Sequence, residues 1–265
     1  MKEKITDLAI AMKDESIQAL LESETLGTLI KALVQQVIKD EAGALVGSIL
    51  SAASPRVHGM WLSFKQNRFE RNMTRMMAEL FRSVDDLKIQ YAALSDEMKD
   101  LYNGQFTEML LDNVVDEQQI DKVTWNVNGF IGMMTNDANE NIMKMFFDTL
   151  NELTVLDIEL LKAYRIWDRT YPLELAKQYG IDSDQLKMVK EKLVRLGLMN
   201  RKNDEQRDKN LDEIVEYLEK SERDAKSSKP KGVKLPYGIK KISNTESYEI
   251  SHLGFSFLAS IGEGR

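Results

Sequence analysis

The chain has 265 residues, with 36 Lys and Arg against 43 Asp and Glu for a formal net charge of −7. It has no cysteine and only two histidines, His58 and His252, which excludes disulfides, thiolate metal sites, cysteine nucleophiles and multi-histidine metal centres. The length allows two domains with separate cores, and an apolar fraction of 43% is too high for a disordered chain.

The opening Met1-Lys-Glu-Lys-Ile-Thr-Asp7 is mixed in charge, with no apolar core behind it. It does not read as a secretory leader, and a cytoplasmic location is expected. Ile5, Leu8, Ala9 and Met12 share one helical face, and Leu20, Leu21, Leu29, Ile30, Leu33, Val34 and Val37 continue at helical spacing. Ala42–Ser54 is an uncharged apolar run of 13 residues, short of a membrane span. Extended to Phe64 it would reach spanning length, but Pro55 sits in its middle. Gly43 and Gly47 suit close helix approach, so a helix buried in protein is preferred to membrane contact.

After a break expected at Pro55, Phe69, Met73, Met76, Leu80, Val84, Leu87, Tyr91 and Leu94 predict one long amphipathic helix, with Arg68, Arg71, Arg75 and Arg82 for its outer face. Helices continue through Phe106, Met109, Leu110, Val114 and Val115, then through Ile142, Met143, Met145, Phe146, Leu150 and Leu153. Between them Asn136-Asp137-Ala138-Asn139 forms a turn with a ready N-cap. The expected first domain is an all-helical bundle over residues 1–152, carrying 15 basic and 24 acidic side chains. Residues 153–265 carry 21 and 19, and the contrast suggests separate roles.

The second domain reads as a winged helix-turn-helix. Leu156–Trp167 is amphipathic with Leu156, Leu160, Leu161 and Tyr164 inward. Pro172 opens a short helix over Leu173–Tyr179, and Gly180 stops it. Asp182 or Ser183 caps a third helix to Leu196, locked by Leu186, Val189 and Leu193 against small Ala176. Leu196–Met199 leads into an extended segment, Ser247–Gly254 supplies the returning strand of a small β-wing, and Phe255–Ile261 is a last helix. Between the strands lie an acidic helix, Asp212–Arg223, and a loop, Ala225–Lys241, with six lysines and no acid. The expected fold class is therefore mainly α, a helical bundle followed by a winged helix with an enlarged basic wing.

The candidate nucleic-acid-binding residues follow from that fold. Ser183, Gln185, Lys187 and Lys190 would face a major groove, and Lys229, Lys231, Lys234, Lys240 and Lys241 would contact phosphates. Against DNA stand Asp182, Asp184 and Glu191 on the same helix, the absence of arginines that read guanine, and a sequence pI near 5.2. Winged helices also dock proteins. No metal, cofactor or catalytic residue is expected. Asp112, Asp116, Glu117 and Asp121 lie at helical spacing without a cation-binding loop, so a solvated face is the simpler reading. His58 and His252 have no local nucleophile, and Trp61, Trp125 and Trp167 are expected in cores.

The chain resembles the abortive-infection alpha-like family, whose molecular function is unknown. The resemblance lies in the Ala42–Ser54 helix followed by Lys65-Gln-Asn-Arg-Phe-Glu-Arg71, in Leu110-Leu-Asp-Asn-Val-Val-Asp-Glu-Gln-Gln119, in Leu153-Thr-Val-Leu-Asp-Ile-Glu-Leu-Leu161, in Leu193-Val-Arg-Leu-Gly-Leu198 and in Ile250-Ser-His-Leu-Gly-Phe-Ser-Phe257. The last resembles a Leu-Thr-x-x-Gly-x-x-Phe pattern, with Ser251 in place of threonine. It implies association with prophages and with cell-suicide defence against phage, and supplies no catalytic residue or cofactor. Two functions are expected to compete: a non-enzymatic module binding a phage or host protein, and a DNA-binding regulator that forms a homodimer through its bundle on double-stranded DNA.

Overall fold

The computed structural model describes residues 24–60, 66–135, 139–165, 171–242 and 247–262. It is mainly helical, with one two-stranded sheet. The expectations for Ile5 to Leu21, Trp61, Asn136–Ala138 and Trp167 lie outside the described residues. The chain divides into two compact units, Met1–Ile158 together with Ser256–Arg265, and Glu159–Phe255. The sequence-based division at 152/153 differs from this at both ends. The last helix explains the second difference: Phe257, Leu258 and Ile261 are buried, and the Phe257 ring lies 5.6 Å from that of Phe146 in the first unit.

In the first unit α1 (Glu24–Val37) buries Leu26, Ile30, Leu33, Val34 and Val37, one face of a 3.6-residue repeat. The helix α2 (Ala42–Met60) follows after a tight turn in which a β-carbon on Gly43 would lie 2.8 Å from the Val37 carbonyl oxygen. It runs through Pro55 rather than stopping there. Proline removes one backbone donor. Next to the gap, the Arg56 guanidinium donates to the Ala52 carbonyl at 2.7 Å and reaches Asp112 at 2.6 Å and Glu108 at 2.5 Å.

The long helix expected over 69–94 is two helices, α3 (Gln66–Arg82) and α4 (Val84–Ala93), separated at Ser83. Ser83 takes φ −100° and ψ 18°, outside the helical well, while Asp85 and Asp86 complement the dipole of the new N-terminus. Then come α5 (Asp96–Leu101), a π-helical turn (Tyr102–Phe106), α6 (Thr107–Val114), α7 (Ile120–Gly132) and α8 (Glu140–Glu152), the last capped by the Asn139 side chain as expected. The helix α3 packs on both α1 and α7, and α2 on α6. Trp125 is in the core, and Gly129 leaves room for the Phe146 ring, whose Cζ would lie 2.1 Å from an added β-carbon.

This core holds polar groups that the apolar periodicity does not predict. Asn72 is fully buried, and its Nδ2 donates to the carbonyls of Val114 at 2.8 Å and Glu117 at 2.8 Å. Glu79, 2% exposed, sits between Arg75 at 3.0 Å and Arg82 at 2.7 Å. Three of the four arginines assigned to a solvent face are thus partners of polar groups inside, since Arg71 donates to Asn72 and to the Glu117 carbonyl.

The second unit begins within α9 (Val155–Arg165), which buries Leu160, Leu161 and Ala163 and half-buries Leu156 and Tyr164. Next are α10 (Tyr171–Tyr179), α11 (Ser183–Arg195), β1 (Met199–Arg201), α12 (Lys202–Ala225), a lysine-rich return segment, β2 (Tyr248–Ile250) and the start of α13 (His252–Ser260). Gly180 (φ +64°) and Gly197 (φ +73°) take the left-handed conformation that ends α10 and α11. The strands are antiparallel, Met199 opposite Ile250 and Arg201 opposite Tyr248. Two boundaries differ from expectation. The acidic helix begins at Lys202, ten residues earlier than Asp212, and the last helix begins at His252 rather than Phe255.

Candidate interaction surface

Asp182 starts α11 through a reciprocal capping box. Its carboxylate accepts the N–H groups of Asp184 at 2.9 Å and Gln185 at 2.8 Å, and the Gln185 side-chain oxygen accepts the Asp182 N–H at 3.0 Å. Leu186 and Leu193 hold the inner face, with Val189 half-buried beside them. The outer face is a shallow depression of about 550 Å³ lined by Asp184, Lys187, Met188, Glu191, Lys192 and Arg195. Met188 is 72% exposed at its centre.

The four side chains expected to face a groove have different fates. Ser183 and Lys187 are exposed. Gln185 is exposed too, but its carbonyl oxygen is committed to the cap. Lys190 is half-buried, its ammonium 5.8 Å from the centre of the Tyr164 ring and 5.4 Å from that of Tyr248. Burial holds this amine below its usual pKa, and the two ring faces compensate for part of the lost hydration.

Glu191 is also a structural partner. It accepts from the Arg201 guanidinium and, at 2.7 Å, from the Tyr248 hydroxyl, so α11 is fastened to both strands. These two hydrogen bonds, Arg201 first, hold its carboxyl below the ordinary 4.5.

Lys229, Lys231, Lys234, Lys240 and Lys241 are all exposed, on a return segment of irregular backbone. The segment folds back along α12. The Asp224 carboxylate accepts the N–H groups of Lys231 at 3.0 Å and Gly232 at 2.8 Å. Near the other end, Asn210 exchanges two hydrogen bonds with the Lys240 backbone, at 2.8 and 3.1 Å. Between them Gly238 abuts Glu213, whose Oε1 would lie 1.6 Å from a β-carbon there. The candidate residues therefore form no single cluster: two lie exposed on α11, one is in the cap, one is between rings, and five are on the return segment. The sequence reading missed Met188, Lys192 and Arg195, although steps of four from Asp184 to Met188 and from Met188 to Lys192, and of seven from Met188 to Arg195, place them on one face.

In the first unit Asp112, Asp116 and Asp121 are exposed, as the solvated reading of the acidic run expects, and Glu117 is the exception. Asp112 pairs with Arg56, and Glu117, 9% exposed, pairs at 3.2 Å with buried Lys122. Among the described residues there is no group of three or more acidic and histidine side chains placed to hold a metal ion, and no helix long and apolar enough to cross a membrane. No protein-family profile matches the chain, and no curated protein or solved structure matches it.

Proposed function

We propose that the chain is a non-enzymatic, cytoplasmic interaction protein whose Glu159–Phe255 unit is a winged helix-turn-helix used to dock protein. The observation that carries this reading is the fate of the groove-facing positions on α11. Gln185 serves the cap and Lys190 lies between two tyrosine rings. What remains outward is a mixed face, Asp184 and the partly exposed Glu191, itself paired with Arg201 and Tyr248, among Lys187, Lys192 and Arg195, around exposed Met188. Acidic side chains on that face oppose a phosphate backbone, whereas an apolar centre with a charged rim suits a protein surface. The partner in this proposal is a phage or host protein, the setting implied by the resemblance to abortive-infection alpha-like proteins.

The exposed lysines of the return segment favour the second reading, a DNA-binding regulator. Titrating the purified chain with random-sequence duplex DNA at increasing salt separates the two. The docking reading expects no duplex binding at low salt. Five lysines on phosphates would instead give a log–log salt slope of about −4.5 and replace it with the regulator.

A further inference from the structure

The helix α12 is turned inside out. Its half-buried side chains Gln206, Asn210, Glu213, Tyr217, Ser221 and Asp224 recur at steps of three and four, and form the polar face that the return segment covers. The Ser221 hydroxyl is buried there without a partner. Its apolar face is turned aside from that segment. Leu211, Ile214, Val215 and Leu218 are 58%, 39%, 52% and 57% exposed, and at 3.6 residues per turn their stripe is centred roughly 110° from the polar one. A helix in a finished fold places these faces in the opposite sense. Four such side chains expose roughly 400 Å² of apolar surface, as much as the largest patch on an ordinary monomer, which is often functional.

We infer that two copies of the chain pair through this face, the α12 helices antiparallel about a two-fold axis between Ile214 and Val215. The stripe is its own complement. Leu-x-x-Ile-Val-x-x-Leu reads alike in both directions, so a two-fold sets Leu211 against the partner's Leu218 and Ile214 against the partner's Val215. The flanking charges choose the same arrangement. Arg207 and Glu222 extend the stripe at its two ends, and the antiparallel pairing brings each to the other, twice, with Asp204 near the partner's Lys226. A parallel pairing would put Arg207 against Arg207 and Glu222 against Glu222. The existing bonds of these groups, Arg207 with Asp204 at 2.8 Å and Lys226 with Glu222, are exposed contacts within one helix that exchange at little cost. Across the two-fold the aliphatic surface alone comes to about 800 Å², below the size of a standard stable interface, so a weak, reversible dimer is expected.

Sedimentation velocity of the full chain from about 1 to 200 μM tests this. A dimer is expected that Leu211→Asp with Leu218→Asp converts to monomer, with circular dichroism unchanged because both positions are exposed. Arg207→Glu and Glu222→Arg are each expected to raise the dimer Kd about ten-fold, and together to restore it. Because the chain has no cysteine, Leu211→Cys and Leu218→Cys report orientation cleanly. Mixed and oxidised they should cross-link to one another, and neither should link to itself, since identical positions lie about 10 Å apart along the axis. A chain that stays monomeric throughout, a dimer that survives the double Asp substitution, or a Leu211→Cys chain that links to its own copy would each overturn the inference.

Discussion

Asn72→Ala is expected to be among the damaging single substitutions in the first unit. The position is 0% exposed. Its Nδ2 carries two hydrogens and lies 2.8 Å from the Val114 oxygen, 2.8 Å from the Glu117 oxygen and 3.3 Å from that of Val115. These carbonyls belong to the end of α6 and the turn beyond it, where no intrahelical donor exists. The Glu117 oxygen also accepts from Arg71 at 3.0 Å, which softens its loss. Removing the amide leaves the Val114 oxygen with the Glu117 N–H at 3.2 Å and the Glu117 oxygen with Arg71, so both are weakened and neither is stranded, at about 1–3 kcal/mol in all. For a unit of this size that lowers Tm by roughly 2–12 °C. Thermal and urea unfolding followed by far-ultraviolet circular dichroism measures it. Asn72→Asp supplies a second oxygen where the donor stood and is expected to cost at least as much at neutral pH. A loss below about 0.5 kcal/mol for the alanine variant would show that the α6 terminus is held by something other than Asn72.

Gly254→Ala places a β-carbon 2.2 Å from the Leu198 carbonyl oxygen, a backbone atom that cannot swing aside, so about 1–3 kcal/mol of stability is expected to be lost in a thermal melt. Glu191 predicts an acid-sensitive sheet. Its folded pKa is depressed, so its stabilisation is present above the ordinary 4.5 and is lost as pH falls through the lower folded value. The native chain should therefore lose more Tm than Glu191→Gln between neutral and strongly acid pH, and equal losses would refute the assignment. Lys190→Glu is expected to cost about 1–2 kcal/mol in urea unfolding by removing the ammonium from between Tyr164 and Tyr248, while Lys187→Glu on the exposed face stays within about 0.5 kcal/mol.

What the sequence makes legible is what local chemistry decides. Asp182 with Gln185 three residues on is a capping box in any context, and Gly180 and Gly197 follow apolar helical runs where a left-handed residue must end them. The returning strand, Tyr248–Ile250, lies within the expected Ser247–Gly254. Elsewhere the deciding partner is remote. Pro55 is a helix-breaker by every local rule, and whether Arg56 can bridge to Ala52, Glu108 and Asp112 depends on a helix fifty residues away. The apolar steps from Phe69 to Leu94 continue across Ser83, so periodicity has no means of registering the turn there. The first ten residues of α12 carry charge on all sides and give periodicity nothing to detect.

The same division governs the candidate surface. Lysine identity is written in the sequence, but lysine fate is not. Lys187 and Lys190 are three residues apart on one helix, equivalent by charge and by propensity, and a groove-facing assignment treats them alike. Tyr164 and Tyr248 separate them, one from α9 and one from β2, by offering ring faces to Lys190. In α12 the ambiguity runs the other way. A stripe of Leu211, Ile214, Val215 and Leu218 reads as a core face by every periodic rule, yet the chain covers a different face of that helix with its own lysine-rich segment. A pattern that is right about amphipathicity and silent about which side the chain itself covers locates a surface whose partner must come from another molecule.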